Sequence, residues 1–480
     1  MRWTLEQVAQ AVGVAPPASA ADGPAVAHLA GVSIDSRTLR PGELFVAIHG
    51  PRHDGHTFVT AALAAGAAAA VVERSRLGEF PAELRPRLLG VEGTLAALQA
   101  LARAVRRQWS RGGQRKLAGV TGSAGKTTTK EILAALLGAR HRVLKSEGNL
   151  NNDYGLPLTL LQLEDHHDAV VVELGMSRRG ELARLAAIAE PEVGVVTNVA
   201  PVHLEFFASV DEIALAKREL IEGLAGKKSL AVLNADDARV TKFAEVAPGR
   251  VVTFGLERGD FRAERIADRG AEGSALDFVS PAGRVRLELP LAGRHNLRNA
   301  LAALAAASEW GVGAEEAAEV FPRLRPAALR GEVLKFEAGF TLISDCYNSN
   351  PQALDAAADL LVATPGYRRK ILVAGEMLEL GPTAAELHRA CGAYAARTKA
   401  LAWIIGVRGL ASELIAGAVA AGQPEQSTQM FDSSEEAAKF LAEFVDPGDL
   451  LLVKGSRGVK METIVEAVKA RHPLARAGGR

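Results

Sequence analysis

The stretch LAGVTGSAGKTTTKEILAALL, residues 117–137, constrains the fold more than any other part of the chain. An apolar run from Leu117 to Thr121 reads as a strand. Gly122, Ser123, Ala124 and Gly125 interrupt it, and Lys126, Thr127 and Thr128 open a helix. Glycines let successive backbone N–H groups turn toward one anion without a Cβ in the way. The helix start adds the positive end of its dipole. Lys126 supplies a full charge for β- and γ-phosphates, and Thr127 a hydroxyl for Mg²⁺. The segment from Thr121 to Thr128 is therefore expected to bind a nucleoside triphosphate. Its spacing is G-x-x-G-K-T, shorter than G-x-x-x-x-G-K-T, so specificity comes from the strand and helix on either side. Such a loop does not distinguish a kinase, a switch GTPase, a motor or a ligase.

The chain has 480 residues, beyond the roughly 250–300 at which a single core stops growing. Two or three domains are expected. Acidic and basic residues balance at 56 each, so no whole-chain field points to nucleic acid or an anionic membrane. Two cysteines, Cys346 and Cys391, are too few and too far apart for a disulfide scaffold or zinc cluster. They fit a reduced, cytoplasmic setting. MRWTLEQVAQAVGV at the start reads as a short amphipathic helix, not as the apolar core of a signal peptide. The apolar run at 61–72 is too short to span a membrane and reads as a helix leading into a strand. No heptad seam stands out, so a monomer is expected.

Up to about Gly90, short strand-like runs at 44–48 and 70–72 alternate with turns at 40–42 and 50–52. A helix follows at 94–109 with Leu95, Leu98, Leu101, Ala102 and Val105 on one face. Strand-length apolar runs at 117–121, 169–174, 193–199 and 230–234 then alternate with helical patterns, the rhythm of a parallel sheet wrapped by helices. The stretch 260–291 reads as a small antiparallel insertion, closed by a helix at 296–309. A Pro- and Arg-containing connector at 322–330 leads to a second alternating series, with strands at 340–346, 370–374, 401–407 and 450–453. It lacks a GxGxxG fingerprint, so a nicotinamide dinucleotide is not expected there. The expected class is α/β in three domains: 1–90, a central P-loop domain at 91–325, and a Rossmann-like domain at 326–480.

Glu173 ends the strand VVVELG, where a parallel sheet opens to its ligand crevice. It suits Mg²⁺, or is a solvated strand-end acid. His203, after TNVAPV, reads alone as a structural histidine, and Lys217, in DEIALAKRELI, as a solvated helical lysine. Asn296 reads as a helix cap and Asn299 as a solvated face. Asp345-Cys-Tyr-Asn reads as a strand end and turn.

Several segments together resemble the Mur ligases, the ATP-dependent amide-forming enzymes of peptidoglycan synthesis. They are TGSAGKTTTKE (121–131), GNLNNDYGLPLTLL (148–161), VVELG (171–175), TNVAPVHLEFF (197–207), AKRELI (216–221), AGRHNLRNALAA (292–303), DCYNSNP (345–351) and LVKGSRGVKME (452–462). Within the family, GNLNN, DCYNSNP and AGEMLELG (374–381) are similar to the branch that adds D-alanyl-D-alanine to UDP-MurNAc-tripeptide. The D-N/D-P-R box of the diaminopimelate-adding branch is missing. The segment SIDSRTLRPGELFVAIHGPRHDGHTF (33–58) is similar to the uridine-nucleotide-binding domain, which implies that Ser36 and Arg37 lie near the UDP group.

The resemblance implies ATP and two Mg²⁺ ions, with phosphorylation of a substrate carboxylate and attack by the incoming amine. Thr127 and Glu173 would hold one ion; Glu173, His203 and a carbamylated Lys217 would surround the second. Lys126 and Arg330 would meet the transferring phosphate. Asn296 and Asn299 would contact the base region, and Asp345, Tyr347, Asn348 and Asn350 would meet ATP from the third domain. Asn149, Asn151 and Asn152 would contact substrate. The site is then complete only when domains close, with an open form expected otherwise. Alternatives are a relative adding a single amino acid, a folylpolyglutamate-type ligase, for which the DSR segment is not expected, or a P-loop binding protein that hydrolyses ATP slowly.

Overall fold

The computed structural model describes residues 3–16, 28–50, 53–202 and 204–475. Each domain is built on one sheet. In the first, β1 (Val32–Ser33), β2 (Leu44–Val46), β3 (Ala69–Glu73) and β4 (Leu88–Val91) lie parallel in chain order. Helices α1 (Leu5–Val12) and α2 (Val59–Ala64) accompany them, so the opening helix and the helix-to-strand reading of 61–72 both hold. β1 and β4 escape the sequence reading.

Helix α3 (Thr94–Trp109) packs on α1 and β3 on one side and on the central domain on the other. Its buried face carries Leu98, Leu101, Ala102 and Val105 as expected, with Ala97 and Trp109 added; Leu95 is only half-buried. Arg106, also buried, donates to the Ala189 carbonyl (2.8 Å), the Glu190 carbonyl (2.9 Å) and the Glu192 carboxylate (2.7 Å). Glu192 in turn accepts the Leu117 N–H at 2.7 Å. A buried guanidinium thus ties α3 to the start of the phosphate-loop strand.

The central sheet has nine strands. β5 (Lys116–Thr121), β6 (Val143–Lys145), β7 (Ala169–Glu173), β8 (Val193–Val196), β9 (Leu230–Asn234) and β10 (Arg250–Gly255) are parallel, in the order β10-β9-β8-β5-β7-β6. The residues at 260–291 form no separate insertion. β11 (Phe261–Asp268), β12 (Ser274–Ser280) and β13 (Gly283–Leu289) continue the same sheet beyond β10, and only the last two pairings are antiparallel. Helices α4 (Lys126–Gly138), α5 (Gly155–Leu160), α6 (Glu181–Ala189), α7 (Val210–Glu222), α8 (Arg294–Ala307) and α9 (Ala314–Val320) cover both faces. Side chains alternate between them. Leu117, Val170 and Val172 join the core under α3, α6 and α7, while Ala118, Val120 and Val171 join the core under α4 and α8. Two-sided burial is why these strands read as unbroken apolar runs. β8 stops at Val196, three residues short of expectation, because Thr197 and Asn198 turn their side chains to the phosphate loop.

The third sheet runs β14-β15-β19-β16-β17-β18, from β14 (Glu332–Lys335), β15 (Thr341–Asp345), β16 (Arg369–Gly375), β17 (Trp403–Val407), β18 (Thr428–Phe431) and β19 (Asp449–Lys454). Only β14 is antiparallel. Helices α10 (Pro351–Ala363), α11 (Ala384–Arg397), α12 (Ala411–Ala420), α13 (Ser434–Phe444) and α14 (Glu462–Arg471) complete it. The central and third domains touch. Ala271 and Ala292 of the central domain sit in a core shared with α10, and the Ala271 N–H donates to Thr364 Oγ1 at 3.0 Å. Lys335 pairs with Glu272 at 2.6 Å across the same seam. No helix among the described residues is long and apolar enough to cross a membrane.

Replacing Arg106 with Ala leaves Glu192 and two carbonyls without their partner. It is expected to cost about 3–5 kcal/mol, read from the midpoint of urea unfolding. Arg103→Ala, which removes an exposed partner of Glu190, is expected to cost about 1 kcal/mol or less. Equal effects would show that the buried contacts do not matter.

Candidate functional site

β5 ends between β7 and β8, so its loop emerges in the middle of the sheet edge. Gly122 has φ 151° and Gly125 φ 83°. A Cβ on Gly122 would lie 1.8 Å from Thr197 Oγ1, and one on Gly125 would lie 2.2 Å from Asn299 Oδ1. Both positions therefore require glycine, for space and for backbone conformation. The loop is braced from below: Thr197 Oγ1 donates to the Ala124 carbonyl at 2.6 Å, and Asn198 Oδ1 accepts the Ala124 N–H at 2.9 Å. Lys126 Nζ donates back to the Gly122 carbonyl at 2.7 Å, the position from which it can turn to phosphate.

Glu173 is buried, not solvated, and both its oxygens are engaged. Thr127 Oγ1 donates to Oε2 at 2.6 Å, and Asn151 Nδ2 donates to Oε1 at 2.8 Å. Lys126 lies nearby, half-buried. Burial lowers its pKa, the Arg330 charge lowers it further, and Glu173 opposes both. Lys217 is buried too, against its reading as surface. Burial pushes its ammonium well below the usual lysine range, with Lys126 adding to the effect. The shift is toward the neutral amine.

A cavity of about 590 Å³ opens between the central and third domains. From the central side it is lined by Ser123, Ala124, Gly125, Lys126, Thr127, Thr128, Asn151, Asn152, Glu173, Asn296 and Asn299. From the third domain come Arg330, Asp345, Tyr347, Asn348 and Asn350. Thr121 and Gly122 do not line it; the Thr121 hydroxyl donates to the Leu174 carbonyl at 2.8 Å and is structural. Asn149 is exposed outside it, and Lys217 does not line it either. Ser36 and Arg37 lie apart, in the first domain. Arg37 is exposed and pairs with Asp35 at 2.7 Å, which together with a backbone N–H holds that carboxyl down at about 2. His203 lies outside the described residues.

Several of these side chains already have structural work. Asn296 does not cap α8; it donates to the Ala292 carbonyl at 2.8 Å and accepts from Asn299 at 3.1 Å. Asn299 is buried against Gly125, not on a solvated face. Asn350 caps α10 through the Ala353 N–H at 2.9 Å, and Asn152 accepts the Gly155 N–H at 2.9 Å. Arg330 stacks on the Tyr347 ring with its guanidinium carbon 3.8 Å from the centroid, which aims it over the cavity.

Sequence reading missed two residues here. Lys454 lines the cavity and donates to Asp345 Oδ2 at 2.6 Å and to the Asn348 carbonyl at 3.0 Å. It meets Asp345 because β15 and β19 pair in that register, across more than a hundred intervening residues. His295, at the start of α8, also lines the cavity; desolvation there lowers its pKa, with Asp345 opposing. Both lie in segments that carry the family resemblance, which was the available signal.

Among the described residues no group of three or more His, Cys, Asp or Glu side chains forms a metal cage. Mg²⁺ does not need one. It keeps several waters and takes one or two protein oxygens together with substrate phosphates. The Glu173 carboxylate and Thr127 hydroxyl, hard oxygen donors beside the phosphate loop, fit that requirement.

Gly122→Ala and Gly125→Ala are each expected to lose about tenfold or more in affinity for a fluorescent ATP analogue, from backbone strain and the clash together. Unchanged affinity in either variant would contradict the loop geometry.

Three family models match the chain. They are "Mur ligase family, catalytic domain" at residues 28–106, "Mur ligase middle domain" at 120–307, and "Mur ligase, glutamate ligase domain" at 329–457. The chain is 34% identical over 436 residues to the UDP-N-acetylmuramoyl-tripeptide--D-alanyl-D-alanine ligase of Bacillus subtilis, covering 91% of this chain and 92% of that one. It superposes on a crystal structure of MurF from Acinetobacter baumannii with TM-score 0.87 and 30% identity, over 98% and 99% of the two chains. The MurF ligase of Thermotoga maritima in complex with ADP matches with TM-score 0.80 and 30% identity, over 92% of this chain and 97% of that one. The chain belongs to the Mur ligase family.

Proposed function

We propose that this chain joins D-alanyl-D-alanine to UDP-MurNAc-tripeptide, consuming ATP and releasing ADP and phosphate, as a cytoplasmic monomer in the last cytoplasmic step of peptidoglycan precursor assembly. The names of its relatives at 30–34% identity support the substrates. The observation that carries the chemistry is the single cavity with a phosphate loop on one wall and Arg330, Asp345, Tyr347 and Lys454 on the other. The division of labour we propose is a uridine-nucleotide domain at 1–90 using Ser36 and Arg37, an ATP domain at 91–325, and a domain at 326–480 that receives the dipeptide.

Phosphorylating a carboxylate brings two anions together, so cations must stand between them. Lys126 and Arg330 both line the cavity and would flank the γ-phosphate. Bound Mg²⁺ supplies further charge neutralisation, held by Thr127 and Glu173, with His203 and Lys217 serving a second ion. Lys217 suits that role as a carbamate. Its burial favours the neutral amine, whose lone pair can add to CO₂ with loss of a proton to give an anionic ligand. The third domain covers the loop and excludes water, which protects an acyl phosphate until the amine of the dipeptide arrives. Asp345, held by Lys454, would accept from the ribose hydroxyls, and Asn151 and Asn152 would meet the substrate.

Phosphate release with UDP-MurNAc-tripeptide and D-alanyl-D-alanine together is expected to exceed release with either alone by about 100-fold or more, and free amino acids are expected not to replace the dipeptide. Turnover with a single amino acid would mark a different ligase. Turnover independent of UDP-sugar peptide would mark a P-loop binding protein. Lys217→Ala is expected to fall about 100-fold or more, with partial rescue by formate or acetate. Unchanged activity of that variant at low bicarbonate would refute the carbamate.

A further inference from the structure

One buried charge near the site has no part in the chemistry above. Lys130 lies on α4, one turn beyond Lys126, and is 1% exposed. Its ammonium donates to the Ser146 carbonyl at 2.5 Å and pairs with Glu131 at 2.9 Å. The outer side of Glu131 is held by Lys145. Taking an ammonium out of water is costly, and replacing such a pair with an apolar side chain is often neutral or stabilising. Stability alone is therefore a weak reason to keep a lysine here.

Its carbonyl partner supplies a stronger one. Ser146 begins the loop between β6 and α5, and that loop wraps around Glu173. The Ser146 hydroxyl accepts the Glu173 N–H at 3.0 Å. Five residues on, Asn151 Nδ2 donates to the Glu173 carboxylate at 2.8 Å, and the Asn151 carbonyl accepts the Gly175 N–H at 2.8 Å. The clasp therefore fixes the backbone of Glu173 at one end and its carboxylate at the other. Lys130 pins the first of those ends to the phosphate-loop helix, the helix that also carries Thr127.

We propose that Lys130 is a positioning residue. Through Ser146 it sets the Glu173 carboxylate against the Thr127 hydroxyl, and so sets the affinity of that oxygen pair for a divalent cation in the presence of nucleotide. This rests on the reading of the site as an ATP and Mg²⁺ site. Partners that orient a metal-binding group are commonly worth 10–100-fold in metal affinity or activity.

The test uses the full-length protein with Mn²⁺ as the probe and a non-hydrolysable ATP analogue, read by electron paramagnetic resonance. Lys130→Met and Ser146→Ala are compared with wild type. Ser146→Ala keeps the carbonyl that receives the ammonium and removes only the hydroxyl, so it decides the matter if Lys130→Met fails to fold. Both folded variants are expected to weaken Mn²⁺ binding about tenfold or more. The Mg²⁺ needed for half-maximal phosphate release should rise in parallel, while KM for ATP at saturating Mg²⁺ stays near the wild-type value. A lowered Tm with unchanged Mn²⁺ affinity would make Lys130 merely structural and overturn the proposal alone. A wild type that binds no Mn²⁺ with nucleotide would overturn both the proposal and the site reading beneath it.

Discussion

The buried contact between Glu173 and Thr127 holds this structure to its purpose. At 2.6 Å, a carboxylate on one strand end accepts from the hydroxyl that opens the phosphate-loop helix. Neither group is exposed; the half-buried Lys126 ammonium acts on Glu173, and Lys217 is buried. Buried charge of this kind is a poor source of stability. It makes sense as preorganisation: Lys126 lines the cavity where triphosphate charge would gather, and the carboxylate lines it where a divalent cation would stand. Everything around the contact keeps it rigid. Two glycines let the loop approach Thr197 and Asn299, Asn198 braces it from below, and the 146–151 loop clasps Glu173 from the side.

The third domain gives that preorganised edge a second wall. Its contact with the central domain runs through Ala271 and Ala292, small residues whose backbone comes close to α10. Beside this close approach, Lys335 and Glu272 pair across the seam. Arg330, just before β14, lies over the Tyr347 ring and reaches the cavity from the connector itself. Any rotation of the third domain about that connector would carry Arg330, Asp345 and Lys454 together. The phosphate and ribose contacts would then be gained or lost as one set.

Much of this was legible in the sequence where the signal is local. The strand at 230–234 and the helix at 94–109 appear with the expected limits, because an unbroken apolar run and a 3.6-residue stripe are properties of neighbouring residues. Other features depend on distant pairing. The stretch 260–291 looked like an insertion because its pattern is strand and turn without helices between, yet it extends the main sheet through a parallel pairing of β10 with β11. Lys217 looked like solvated surface because nothing in DEIALAKRELI says which face of α7 meets the sheet. Lys454 could be given a role only once β19 was set beside β15. The chemistry of these residues follows from three-dimensional proximity, which the family resemblance conveyed and the local pattern could not.

The most direct measurement follows an oxygen atom. In the proposed reaction a carboxylate oxygen of UDP-MurNAc-tripeptide attacks the γ-phosphorus of ATP, ADP leaves, and the amine of D-alanyl-D-alanine later displaces phosphate from the acyl carbon. That oxygen departs with the phosphate. With ¹⁸O in the terminal carboxylate of the tripeptide, ³¹P resonance of the released phosphate should show one ¹⁸O per labelled oxygen transferred. Phosphate free of ¹⁸O, released together with amide product, would contradict carboxylate activation at this site.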